Sequence, residues 1–111
     1  MVRRSRLEAE YYLHIQMLRK YYASRNLNHL IVENFEQAKA QAWRCAINAS
    51  FEDIDKNLEN TIKHVYILRD CNIQRAASKY LFVNEKLARY EIRKYFELLD
   101  WKYHVSIKSI L

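Results

Sequence analysis

The chain has 111 residues and contains no glycine and no proline. That absence constrains its fold more than any motif does. Glycine is the ordinary residue for positive φ, and it dominates tight hairpin turns, so a chain without it has few ways to fold a sheet. With no proline either, the two strongest breakers of regular structure are missing. The expectation is an all-α protein, a compact bundle of about five helices forming a single domain over residues 1–111.

The same absence removes classes of function. There is no glycine-rich loop to cradle a nucleotide phosphate, of either the dinucleotide-binding or the P-loop kind, and no glycine-flanked elbow for a nucleophilic serine. No stretch approaches the roughly 18 apolar residues of a membrane span, and the N-terminus lacks the apolar core of a secretory signal. Cysteines occur only at Cys45 and Cys71. Two isolated cysteines in a basic chain without a signal fit a reducing cytoplasm, as small buried side chains without a disulfide.

Charge is unevenly distributed around a formal net of +6. Residues 1–30 carry six basic and two acidic groups, residues 31–60 three and six, and residues 61–111 ten and five. The ends are basic and the middle acidic, as in a protein with one face for a polyanion.

Apolar periodicity divides the chain. Ser5 and Glu8 make a capping box ahead of a stripe at Leu7, Tyr11, Ile15, Leu18 and Tyr22. Ser24 to Asn28 breaks that helix. A second follows with Ile31, Phe35, Ala38, Ala42 and Cys45 on its inner face. Ser50, followed by Glu52 and Asp53, reads as the next N-cap, ahead of Ile54, Leu58, Ile62 and Val65. Residues 70–72 close that helix and open a short one from about Ile73 to Tyr80. The last helix runs from Glu85 to about His104, leaving 105–111 as a short apolar tail. Tyrosine occurs nine times. In the pairs Tyr11-Tyr12 and Tyr21-Tyr22 one ring faces the core, so Tyr12 and Tyr21 are the expected outward anchors of a homodimer or partner interface.

Residues 72–95 carry the most specific pattern. Ala76 and Ala77 precede Tyr80; Leu81-Phe82-Val83 makes a short link; Asn84 can cap a helix starting at Glu85; Leu87 falls where it presses back onto the alanines; Arg89, Tyr90 and Arg93 follow. This segment resembles the helix-turn-helix unit of bacterial and phage regulators and of pipsqueak-type DNA-binding domains. Leu81 stands where such units usually hold glycine, and Val83 where they hold a capping residue. The resemblance implies a transcription regulator that binds double-stranded DNA as a homodimer. The helix from Glu85 would enter the major groove, presenting Asn84, Glu85, Lys86, Arg89 and Arg93. Arg89 suits guanine and Asn84 adenine, while Arg75 and Lys79 would hold phosphates. Arg3, Arg4 and Arg6 would form an arm on the DNA backbone.

Catalytic and metal chemistry find little support. His14, His29, His64 and His104 are scattered, and neither cysteine has a second ligand at zinc spacing. Glu10 and His14 share a helical face and suit a hydrogen-bonded pair rather than a metal site. Asp53 and Asp55 cannot share a face. His64 and Cys71 are nearly two turns apart. The expectation is therefore no enzyme, no cofactor and no metal. A second resemblance lies in the middle of the chain. Phe35 to Ala38, Trp43 to Ala46, Asn60, Arg69 and Cys71 faintly resemble the ANR family, small helical negative regulators of AraC-type activators. It implies an alternative, a regulator or inhibitor that binds an acidic protein partner, with Trp43 as the discriminating residue: an anchor if exposed, core if buried.

Overall fold

A computed structural model of the chain describes residues 6–23 and 35–110. The described residues are mostly helical and contain no strand. Helix α1 spans Arg6–Glu10 and α2 spans Tyr12–Ala23. Hydrogen bonds from Tyr11 N to Leu7 O and from Ile15 N to Tyr11 O, both 3.0 Å, carry the helical ladder across the join. Leu7, Ile15 and Leu18 are buried, as their spacing predicts. Ser5 and residues 24–34, on which the expected cap, break and Ile31 fall, lie outside the described residues.

Helix α3 (Phe35–Glu52) runs past the start signal expected at Ser50. Ser50 does not begin a new helix. Its Oγ donates to Ile47 O at 2.8 Å and meets the Tyr95 hydroxyl at 3.0 Å, so it is fully buried inside α3 and has no role as a cap. The next helix, α4 (Lys56–Ile62), starts instead at Asp55, whose carboxylate accepts the Leu58 N–H at 2.8 Å. The inner face of α3 is also rotated from the expected one. Ala38, Ala42, Trp43, Ala46 and Ile47 are buried, because Trp43 and Ile47 dominate the packing. Cys45 is left exposed and Cys71 half-buried, and both are free thiols.

Helix α4 widens into a π-turn over Lys63–Ile67. Asn72 then caps α5 (Ile73–Ala76) by accepting Arg75 N–H at 2.8 Å, and α5 in turn widens into a π-turn over Ala77–Leu81. Each π-turn closes with a residue of positive φ, Arg69 at 58° and Phe82 at 57°. In a chain without glycine these two positions must be filled by residues with a Cβ, at a cost of roughly 1–2 kcal/mol each. The left-handed position falls on Phe82 and not on Leu81. A π-turn accommodates one residue more per turn than an α-turn, and that extra residue shifts the closure by one. His64 and Tyr80, one from each π-turn, stack at 4.8 Å.

Helix α6 (Glu85–Ile110) is the spine of the molecule. At about 1.5 Å per residue it is about 39 Å long, close to the longest dimension of the chain, 45 Å. It continues well past His104, since nothing in Val105–Ile110 breaks a helix; Ser109 donates back to Val105 O at 3.2 Å. Helix α3 runs antiparallel to it, with Trp43 stacked on Tyr103 at 4.0 Å and Ser50 against Tyr95. Residues at the start of α2 pack on it, with Tyr11 on Phe96 at 4.9 Å and His14 Nε2 2.9 Å from Asp100 Oδ1. Ile92, Tyr95, Phe96 and Leu99 are wholly buried between these neighbours. Burial of each apolar side chain of this size contributes about 1.5–3 kcal/mol.

Candidate nucleic-acid interface

The corner between α5 and α6 is built from small residues inside and polar ones outside. Ala76, Ala77 and Ala88 are buried to within 1 %, which lets the two helices approach closely. Leu87 does not press on the alanines; it is 43 % exposed, and Ala88 and Ile92 take that place. The reason is the cap. Asn84 Oδ1 accepts Leu87 N–H at 2.8 Å, and the helix thus started turns residues 88, 92, 95, 96 and 99 inward.

Outside this corner, Arg75 and Lys79 are exposed on α5 and its π-turn, and Asn84, Glu85 and Lys86 are exposed at the start of α6. Lys79 Nζ lies 5.4 Å from the centre of the Tyr80 ring. Arg89 is half-exposed and donates to Glu85 Oε1 at 3.1 Å. Arg93 is held elsewhere: it donates to Glu10 Oε2 on α1 at 2.7 Å. That hydrogen bond is the main cause of an upward shift in its pKa, so the guanidinium stays charged. Glu10 therefore pairs with Arg93, and His14 with Asp100, rather than with each other.

The remaining expected residues divide. Arg6 is exposed at the start of α1; Arg3 and Arg4 lie outside the described residues. Tyr12 is 44 % exposed, with Leu13 beside it at 54 %. Tyr21 is not an outward anchor. It is packed against the core and its hydroxyl donates to Asn48 Oδ1, because α3 lies alongside that face of α2. Trp43, at 8 % exposure, belongs to the core. Among the described residues no group of three or more histidine, cysteine or acidic side chains could hold a metal ion. No described helix is long and apolar enough to cross a membrane.

The sequence reading missed an apolar stripe on the outer side of α6. Leu87, Tyr90, Trp101 and Val105 are 43–60 % exposed, and Phe82 in the preceding turn is 76 % exposed. The signal was present in the spacing of residues 87, 90, 101 and 105 on one helical face. It was hidden because α6 carries a second apolar stripe, and one stripe suffices to dock a helix. Lys94 lies over the Tyr90 ring at 5.4 Å, whereas Lys102, 5.5 Å from the centre of the Trp101 ring, is held by Asp53 just beyond α3 at 2.7 Å. Comparison with protein-family models, with curated proteins and with solved structures finds no match.

Proposed function

We propose that the protein is a transcription regulator that binds double-stranded DNA through the α5–turn–α6 corner, as a homodimer and without catalysis. The observation that carries this reading is the corner itself. Two short-linked helices meet over buried alanines, with a left-handed residue in the turn and an asparagine cap at the start of the second helix. Arg75, Lys79 and Lys86 stand exposed around it. Arg89 and Lys86 are assigned the reading of base edges, Arg89 exchanging Glu85 for a guanine or phosphate acceptor. An exposed pair of this kind is worth only about 0.3–0.5 kcal/mol, so the exchange is cheap. Asn84 uses its side-chain oxygen in the cap and contributes orientation. Arg93, engaged with Glu10, is assigned to the margin of the contact, and Arg75 and Lys79 to phosphates. Exposed Tyr12 and Leu13 favour a dimer contact through α2.

The test is binding to a labelled random-sequence duplex at about 50 and 200 mM salt, the range over which phosphate contacts weaken steeply. Tight, steeply salt-dependent binding that Lys86→Ala and Arg89→Ala weaken supports the reading. No binding at the lower salt overturns it. The second reading, a regulator that binds an acidic protein partner, is favoured by the exposed Leu87, Tyr90, Trp101 and Val105, whose apolar surface suits a protein contact more than phosphate.

A further inference from the structure

An open cavity of about 420 Å³ lies between the end of α2, the end of α3 and the start of α4. It falls within the ~300–1,000 Å³ typical of small-ligand sites. Tyr21, Tyr22 and Phe51 supply its aromatic wall, and Glu52 and Glu59 its carboxylates. The rings are set at angles to one another: Tyr21 and Tyr22 meet edge to face at 5.6 Å, and Tyr22 and Phe51 at 6.3 Å. Phe51 is fixed from behind by stacking on Tyr95 at 5.8 Å, and Tyr21 by its hydrogen bond to Asn48. The wall is thus held by the core.

Aromatic faces beside carboxylates form the chemistry that recognises an organic ammonium ion. The ring quadrupoles attract the cation and its alkyl groups, and the carboxylates supply full charge. The protein's own lysines already use these groups. Lys63 Nζ lies 6.0 Å from the centre of the Tyr22 ring, and Lys56 Nζ lies 3.6 Å from Glu59 Oε2. The Lys56 side chain is 89 % exposed, so its hold on Glu59 is weak and screened, and an incoming ammonium can replace it. The cavity also sits in the acidic middle of an otherwise basic chain, away from the α5–α6 corner.

We infer that this cavity binds an organic ammonium group, either a free alkylamine or the lysine side chain of a polypeptide. The site is independent of DNA binding, so either assignment can fail alone. The test follows the ring resonances of Tyr21, Tyr22 and Phe51 by NMR in the full chain. Tetramethylammonium and n-butylammonium chlorides are the probes, with sodium chloride and tert-butanol as controls. The expected result is saturable shifts with the two ammonium ions only, weakened about threefold or more by Glu59→Gln and by Tyr22→Leu. Glu59 is half-buried at the cavity wall and outside the core, so circular dichroism of Glu59→Gln checks that the fold is kept, and this variant decides the matter even if Tyr22→Leu fails to fold. A blocked lysine tripeptide and its Nζ-acetylated form distinguish the sources: tighter binding of the former than of n-butylammonium assigns a polypeptide lysine, and equal binding a free amine. Equal shifts with tert-butanol or sodium chloride, or no saturation with either ammonium ion, overturn the inference.

Discussion

Phe82 adopts a conformation that favours glycine, yet its ring is 76 % exposed and contributes little packing. Phe82→Gly should therefore stabilise the protein by about 0.5–1 kcal/mol, the relief of the left-handed backbone less the entropy of the unfolded glycine. A rise in urea midpoint at constant slope would show it. Tyr66 presents the opposite case, a residue wholly buried whose hydroxyl has no hydrogen-bond partner among the described residues. An unsatisfied buried hydroxyl costs about 1–3 kcal/mol, so Tyr66→Phe should be neutral or stabilising by about 1 kcal/mol in the same assay. A clear loss of stability would mean that the hydroxyl is satisfied in solution.

Among the elements, the start of α4 and the α3–α6 contact each depend on one polar side chain. Asp55→Ala removes the cap of α4 and should cost about 1 kcal/mol. Ser50→Ala acts differently, because Ser50 donates to Ile47 O and so receives its hydrogen bond from the Tyr95 hydroxyl. Its loss strands a buried phenol, with an expected cost of about 1–3 kcal/mol. Ser50→Ala with Tyr95→Phe should cost less than the two changes summed, and a double-mutant cycle measures that coupling. Under the proposed DNA-binding function, Arg89→Ala on α6 should weaken specific binding by about 1–3 kcal/mol, whereas Lys79→Ala should weaken binding to all sequences alike. Equal small effects from both would argue against base reading by α6.

For the whole molecule, the core carries its own alkaline limit. Burial pushes the phenols of both Tyr66 and Tyr95 well above their ordinary pKa. The folded state therefore holds these protons more tightly than the unfolded state, whose tyrosines titrate near pH ~10. The stability they contribute is complete below that pH and is lost as pH rises above it toward the folded values. Urea midpoints should be steady up to pH about 9.5 and fall beyond it. The variant carrying Tyr66→Phe and Tyr95→Phe should fall later. An unchanged alkaline profile in that variant would place the limit elsewhere.

Sequence alone determined the all-α class, since a chain without glycine or proline and with helical apolar spacing has little alternative. It also determined local events that depend on a few neighbours: the helix start after residue 72, the cap at Asn84, and the buried positions Leu7, Ile15, Leu18, Ala76 and Ala77. The tertiary structure decided whatever depends on residues far apart in the chain. Ser50 reads as a cap until Tyr95, forty-five residues later, claims its hydroxyl. Cys45 and Leu87 read as buried until Trp43 and Ala88 set the rotation of their helices. Arg93 reads as a groove-facing cation of α6 until Glu10 on another helix holds it, and Tyr21 as an outward ring until α3 covers it. Periodicity states that a helix has an inner face; only the neighbour that packs there decides which of two candidate faces it is, and which side chains remain for a ligand.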